Sequence, residues 1–307
     1  MIAIVFGLFG LIVGSFLNVV ILRFGERSVG GRSACPNCNA QLRALDMVPV
    51  LSWIFLRGRC RYCKARISVQ YPLVEAATAA FFAALGASSL SLISMLLALP
   101  IAALLVCIFT YDLKHKLIPD IWVWIFATLA LTSGIFNFHF SIFTLLSGPV
   151  AALPILFLWY LSKPFTGHAG QWMGFGDVKL ALGLGWLLGF PLGFFAIFLA
   201  FIIGAVISVC ILLPLPFFVE MFQNIYGYTR TPTLALLRAF FGGNTHVLDS
   251  AGEIVSSSST AAQQKIMPML VSGYTMKSEV PFGPFLIAAG VIVWLVIMYN
   301  IQIPLPL

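Results

Sequence analysis

Eight apolar segments, near 2–22, 72–88, 91–111, 120–138, 142–161, 179–190, 193–219 and 281–303, divide the chain, and the basic residues gather in alternate connections. Nine of the 17 Lys and Arg residues lie from Arg23 to Arg66, two are Lys114 and Lys116, two are Lys163 and Lys179, and four are Arg230, Arg238, Lys265 and Lys277. None lies near 88–91, 138–141 or 190–193. An apolar run of about 18 residues or more reads as a helix that crosses a bilayer. Lys and Arg concentrate in the connections that stay in the cytoplasm. The pattern predicts an all-α polytopic membrane protein of about eight transmembrane helices, with four basic connections in the cytoplasm and both termini outside it.

Composition excludes the other broad classes. Charged residues are 9% of the chain and hydrophobic ones 61%, whereas a soluble domain carries roughly 25% charged residues. So apolar a chain is not disordered for want of a core. The net charge of +7 would suggest nucleic acid in a soluble protein; here it reports topology, and no nucleic-acid partner is expected. The first segment has no basic stretch before it and no small-residue cleavage site, so it reads as a retained span rather than a signal peptide. The 179–190 segment is short; it either begins in the preceding connection or uses Gly183, Gly185 and Gly189 to pack closely.

The expected organisation is a first span at 1–22, a cytoplasmic domain at 23–71, a transmembrane core at 72–219, a cytoplasmic insert at 220–279 and a last span at 280–307. The insert is polar, with four serines in a row from Ser256 to Ser259, and reads as partly disordered. It also offers an amphipathic helix around 232–241 that could lie on the membrane.

Cys35-Pro-Asn-Cys38 and Cys60-Arg-Tyr-Cys63 are separated by 21 residues, close to the spacing of a four-cysteine zinc ribbon. Each short pair lets two thiolates converge on one tetrahedral ion, and Arg59, Arg61 and Lys64 favour the thiolate form. In a cytoplasmic loop disulfides are not expected; reduced cysteines or a redox dithiol are the competing readings. Four thiolates leave no open position for water, so the metal would be structural, holding a subdomain too small to make its own core.

Two aspartates stand at the cytoplasmic ends of spans. Asp112 closes the third, in Thr110-Tyr-Asp-Leu-Lys-His-Lys-Leu-Ile-Pro-Asp120, and Asp177 precedes the sixth, in Gly174-Phe-Gly-Asp-Val-Lys179. Ionisable groups beside apolar helix are costly and are functional candidates. Two carboxylates that share one proton can activate water with one and polarise a carbonyl with the other. Gly174 and Gly176 would let a substrate backbone approach Asp177. Lys179 could tune its charge or anchor the helix at the interface, Pro119 suits a helix start, and His115 and Asp120 read as loop-positioning residues. From spacing alone, aspartates in these places are equally helix caps.

These motifs together resemble the bacterial type IV prepilin peptidases. The resemblance runs through Gly14-Ser-Phe-Leu-Asn-Val-Val-Ile-Leu-Arg23, the two cysteine knuckles, Tyr71-Pro-Leu-Val-Glu75, Asp112 to Asp120, Gly174 to Lys179 and Val280-Pro-Phe-Gly-Pro-Phe-Leu286. It covers nearly the whole chain except 220–279, where the family's loop is usually shorter. It implies a membrane aspartic protease of the Gly-x-Gly-Asp type, which cuts the basic leader from prepilins or pseudopilins at the cytoplasmic face of the bacterial inner membrane. It further implies methylation of the new N-terminus with S-adenosylmethionine. On this resemblance Asp112 and Asp177 are the catalytic pair; from the residues themselves Gly174, Gly176, Lys179, Asp120 and Glu75 read as supporting the site. Cys35, Cys38, Cys60 and Cys63 bind zinc. Glu75 and Asp120 would attract the basic leader. Partners are the prepilins, the bilayer and the pilus or secretion machinery. No Gly-x-Gly-x-x-Gly loop follows a strand, so the methyl donor is expected near 14–23 and the cytoplasmic domain; Asn18 there reads as a helix-packing residue or a ligand contact. A competing class is a proton-coupled transporter using the same aspartates, and a third is a membrane scaffold that docks through the cysteine domain.

Overall fold

The computed structural model describes residues 1–25, 30–35, 37–138, 141–166, 174–212 and 281–299; the insert at 220–279 lies outside these. The helices are α1 (Ile2–Arg23), the short α2 (Leu51–Phe55), α3 (Gln70–Ala87), α4 (Leu92–His115), α5 (Asp120–Phe138), α6 (Ile142–Thr166), α7 (Phe175–Leu188), α8 (Leu192–Ile207) and α9 (Gly283–Met298). Apart from α2, each falls on one of the expected apolar segments. Among the described residues there is no β-sheet, only the isolated bridges Ala34–Gln41 and Arg59–Arg66. By length and hydropathy α1, α4, α5, α6 and α8 with its helical continuation to Cys210 are able to cross a membrane, and the chain is a helical membrane protein.

The first pair is set by small residues. A Cβ on Gly10 would stand 2.8 Å from Ala79 Cα, and one on Gly14 would stand 2.7 Å from Glu75 Cα. The two glycines form a Gly-x-x-x-Gly stripe, the device by which helix backbones approach in lipid. Asn18 is buried on the same stripe and donates from Nδ2 to the Tyr71 carbonyl at 3.1 Å. Interhelical hydrogen bonds within bilayers average about 0.6 kcal/mol, so the backbone approach rather than this bond carries the α1–α3 contact.

Helix α7 is the hub. Its 14 residues rise only about 21 Å, and it is enclosed by α5, α6, α8 and α9. The helix starts four residues early, at Phe175, and Gly183 and Gly185 are contact points, whereas Gly189 ends the helix as its C-cap with φ 72°. A Cβ on Gly183 would strike the Phe126 ring, and one on Gly185 would meet Ala151, Ser147 and Gly148. Trp186 fills the space over Gly148 and donates from Nε1 to the Leu145 carbonyl at 3.0 Å.

Candidate active site and cysteine cluster

The α4–α5 turn positions the first carboxylate. Lys116 adopts a left-handed conformation (φ 53°) and returns its amide to the Asp112 carbonyl at 2.8 Å, ending α4. Pro119 then accepts the Trp122 and Val123 amides at 3.1 and 3.2 Å, which opens α5. Phe24, Tyr111 and Trp122 pack together over this turn with ring centroids 4.5–5.6 Å apart, and His115 stacks on Tyr111 at 4.4 Å. The ends of α1, α4 and α5 are thereby fixed to one another.

Asp112 and Asp177 are 3% and 6% exposed. They lie close enough for the charge of Asp112 to act on Asp177. Asp112 Oδ2 is buried and accepts no hydrogen bond among the described residues, an arrangement that is costly unless water or a ligand completes it. Asp177 sits in the first turn of α7, its amide bonded to the Gly174 carbonyl at 3.1 Å. Ile118 packs beside them, against Gly176 and Gly283. Its side chain would be 3.0 Å from a Cβ on Gly176 and 3.1 Å from one on Gly283. A Cβ on Gly283 would run into Asp112 Oδ2.

The expected supporting residues separate. Gly174 is the open glycine: among the described residues a Cβ there meets nothing nearer than Asp177 Oδ2 at 3.8 Å. Gly176 is a packing glycine under Ile118 instead. Lys179 turns away from Asp177 and donates to Asp120 Oδ1 at 2.7 Å, with Nζ also 5.1 Å from the Phe175 ring centroid. Glu75 faces inward, and its Oε2 accepts the Val50 amide at 2.7 Å. It is 7% exposed, so it is a link to the cysteine domain rather than a surface charge. Gly283 and Ile118 touch the site and escape a reading of charged residues; the signal for Gly283 is the Pro281-Phe-Gly-Pro284 stop before α9.

The four sulfurs of Cys35, Cys38, Cys60 and Cys63 lie within 4.8 Å of one another, and Cys35 and Cys63 are 3.8 Å apart. Zn–S bonds of about 2.3 Å in a tetrahedron put sulfurs about 3.8 Å apart, so the donor set fits zinc in both chemistry and size. The knuckles repeat one backbone design. Cys35 and Cys60 each bond by their amides to the residue five ahead, Ala40 at 3.0 Å and Ala65 at 2.8 Å. Asn39 and Lys64 each return an amide to the first cysteine from a left-handed conformation. Asn37 Nδ2 donates to Cys63 Sγ at 3.6 Å; this bond and the Ala65 backbone push the Cys63 thiol down to about 6. The thiolate is the form that binds metal.

A groove of about 1010 Å³ runs between α3, α4 and α9. Its floor is apolar, with Phe81, Phe109 and Ile292 among its walls. Its mouth, under the cysteine domain, gathers Asn37, Gln70, Tyr71 and Lys114. Gln70 Nε2 is buried there without a partner among the described residues. Asp112 lies on another face of α4 and does not line the groove.

Residues 8–88 match the family model of the bacterial peptidase A24 N-terminal domain, and residues 99–209 match that of the type IV leader peptidase family. A prepilin leader peptidase/N-methyltransferase of Aeromonas hydrophila is 35% identical over 250 residues, covering 68% of this chain and 84% of the relative. One of Dichelobacter nodosus is 34% identical over 247 residues, covering 69% and 85%. No solved structure gives a significant match.

Proposed function

The chain belongs to the type IV leader peptidase family, and on that premise we propose that it removes the leader from prepilins or pseudopilins with Asp112 and Asp177 as an aspartate dyad, and then methylates the new N-terminus. The observation that carries the reading is the buried Asp112 Oδ2, without a hydrogen-bond partner among the described residues, within electrostatic reach of a second buried carboxylate.

The ionised carboxylate takes a proton from water as its oxygen attacks the scissile carbonyl carbon, and the protonated partner donates to the carbonyl oxygen. Collapse of the tetrahedral intermediate breaks the C–N bond, and the departing amine takes up a proton. Gly174 leaves room for an extended substrate backbone beside Asp177. Gly283, having no side chain, leaves the Asp112 oxygen its place. Lys179 and Asp120 act as positioning residues, joining α7 to α5 so that Asp177 keeps its orientation. The alternation of basic and charge-free connections supports a dyad at the cytoplasmic face of the bacterial inner membrane, in a chain of eight crossings with both termini periplasmic. There the pilus or secretion machinery would deliver the substrate.

Zinc would be held by Cys35, Cys38, Cys60 and Cys63 as a structural ion. S-adenosylmethionine, when bound, supplies the methyl group. The groove mouth suits such a nucleoside: Gln70 Nε2 offers an unused donor, Tyr71 an aromatic face and Asn37 both a donor and an acceptor. The carrier alternative is disfavoured because both carboxylates lie in terminal turns rather than at mid-span.

The test is cleavage of a prepilin in proteoliposomes by wild type, Asp112→Asn and Asp177→Asn, with mass spectrometry of the product. Folded, zinc-loaded variants that cut at the wild-type rate would make the carboxylates helix caps and end the dyad reading.

A further inference from the structure

Between the two cysteine knuckles the chain is unexpectedly apolar for a domain placed in water. Phe55 is 81% exposed, Leu45 73%, Ile54 56% and Leu51 52%, and Met47 and Val48 are exposed as well. These side chains are not loosely held. Trp53, between them, turns inward to donate from Nε1 to the Ile67 carbonyl at 3.3 Å, and Gly58 lies against its ring. Six large exposed apolar side chains within 11 residues form a patch that a water-facing surface seldom carries.

The depth of this segment follows from the register of α1 on α3. Gly7 faces Ala83, Gly10 faces Ala79, Gly14 faces Glu75 and Asn18 bonds Tyr71, an antiparallel match that holds over four contacts. The 22 residues of α1 rise about 33 Å, against a hydrocarbon core of about 30 Å, so Arg23 stands at one edge. Glu75, level with Gly14, is nine residues in from Arg23, or about 14 Å. Its side chain leans toward the start of α3 and back to that edge. The Val50 amide that it holds at 2.7 Å is therefore roughly 10 Å inside the edge.

We propose that residues 45–55 are inserted into the bilayer beside the α1–α3 pair, with lipid acyl chains covering Leu45, Leu51, Ile54 and Phe55. The chemistry of the segment suits that place. Its one acidic residue, Asp46, is paired with Arg61 at 2.6 Å. Val50, in an unusual conformation (φ 61°, ψ −51°), has its amide satisfied by Glu75, and Ser52, Ile54 and Leu56 bond back to the Val48, Val50 and Ser52 carbonyls. Backbone groups in lipid must be satisfied in this way. Arg43, Arg57 and Arg59 flank the segment, as basic residues flank interfacial anchors that sink about 5–10 Å into the headgroup and acyl boundary. The zinc knuckles then act as a clip that holds an apolar loop against the membrane. This inference rests on the membrane-spanning fold and not on the peptidase reading.

The test uses the full-length, zinc-loaded protein in proteoliposomes. Phe55→Cys and Arg57→Cys are made separately in a Cys107→Ala, Cys210→Ala background and labelled with a nitrobenzoxadiazole fluorophore. The background alone controls for labelling of the metal site, and zinc content reports folding. Insertion gives a blue-shifted emission at position 55, quenched more by a nitroxide on the lipid acyl chain than by aqueous iodide, and the reverse order at position 57. Water-like emission with iodide quenching at 55 overturns the proposal. So does a blue shift that appears only on adding prepilin, which assigns the face to substrate, or only at high protein-to-lipid ratio, which assigns it to a second copy.

Discussion

The cysteine cluster and the carboxylate site are assembled in opposite ways. The cluster is made from two copies of one local turn, 25 residues apart, each with the same amide bonds and the same left-handed residue after the second cysteine. Its geometry is nearly complete within 35–66. The carboxylate site takes Asp112 from the end of α4, Ile118 from the following turn, Asp177 from the start of α7 and Gly283 from the start of α9. No two of its essential groups lie in one turn of chain except across the α4–α5 connection. A site of the first kind is supported locally and by the metal it would hold; one of the second kind depends on the packing of the whole bundle. Damage to each should therefore spread differently.

The largest expected effects test the distributed site. Asp112→Asn or Asp177→Asn should lower the cleavage rate about 10³-fold or more, as loss of a reacting group does, with zinc content unchanged. Gly283→Ala is sharper, because it leaves both carboxylates in place and adds one methyl against Asp112 Oδ2. Overpacking costs about 1–3 kcal/mol, so a fall in kcat of roughly 10- to 100-fold is expected. Gly174→Ala, whose Cβ has open space among the described residues, should leave thermal stability unchanged and act on substrate alone, raising KM. Equal behaviour of the two alanine variants would erase the distinction drawn between a packed and an open glycine.

The cluster should respond through the metal that it would hold. Asn37→Ala removes the bond that, ahead of the Ala65 backbone, pushes the Cys63 thiol down. The thiol then rises toward its ordinary value, so more of it is protonated near neutral pH and zinc must displace that proton. Loss of an outer partner of this kind costs about 10- to 100-fold in metal affinity. The loss should grow as pH falls, measured by competition with a chelator. Cleavage by protein that retains zinc should be nearly unchanged. A cleavage defect as deep as that of Asp112→Asn in zinc-loaded Asn37→Ala would tie the cluster to the chemistry.

The contrast also explains what the sequence reveals. Eight apolar segments and the basic connections are periodic signals, and each long helix falls on one of them. Paired Cys-x-x-Cys knuckles carry their own spacing, so their convergence is readable from the order of residues alone. The neighbours of the carboxylates are not readable in this way. Nothing in Gly174-Phe-Gly-Asp177 tells which glycine is packed and which is open, because Ile118 decides it from 58 residues away. Glu75 looks like a charge offered to a basic partner until the fold places the Val50 amide on it. Lys179 is two residues from Asp177 in sequence, yet successive positions on a helix point about 100° apart, and the partner it reaches is Asp120.

That last pair sets the lower end of the scale and separates positioning from chemistry. Lys179 is mostly covered, whereas Asp120 is largely exposed, so the ion pair is screened, and exposed pairs contribute about 0.2–1 kcal/mol. Asp120→Asn should therefore lower thermal stability only slightly. Its effect on cleavage should be a few-fold in kcat with KM unchanged, if the pair serves to hold α7 against α5. The reversed pair, Asp120→Lys with Lys179→Asp, should recover most of what either single change loses, and added salt should narrow the gap between wild type and Asp120→Asn. A loss in KM alone, unrepaired by the reversed pair, would instead make Asp120 a contact for the basic leader. In that case the α5–α7 junction would belong to substrate recognition, and the distributed site would extend further toward the cytoplasm than its two buried carboxylates.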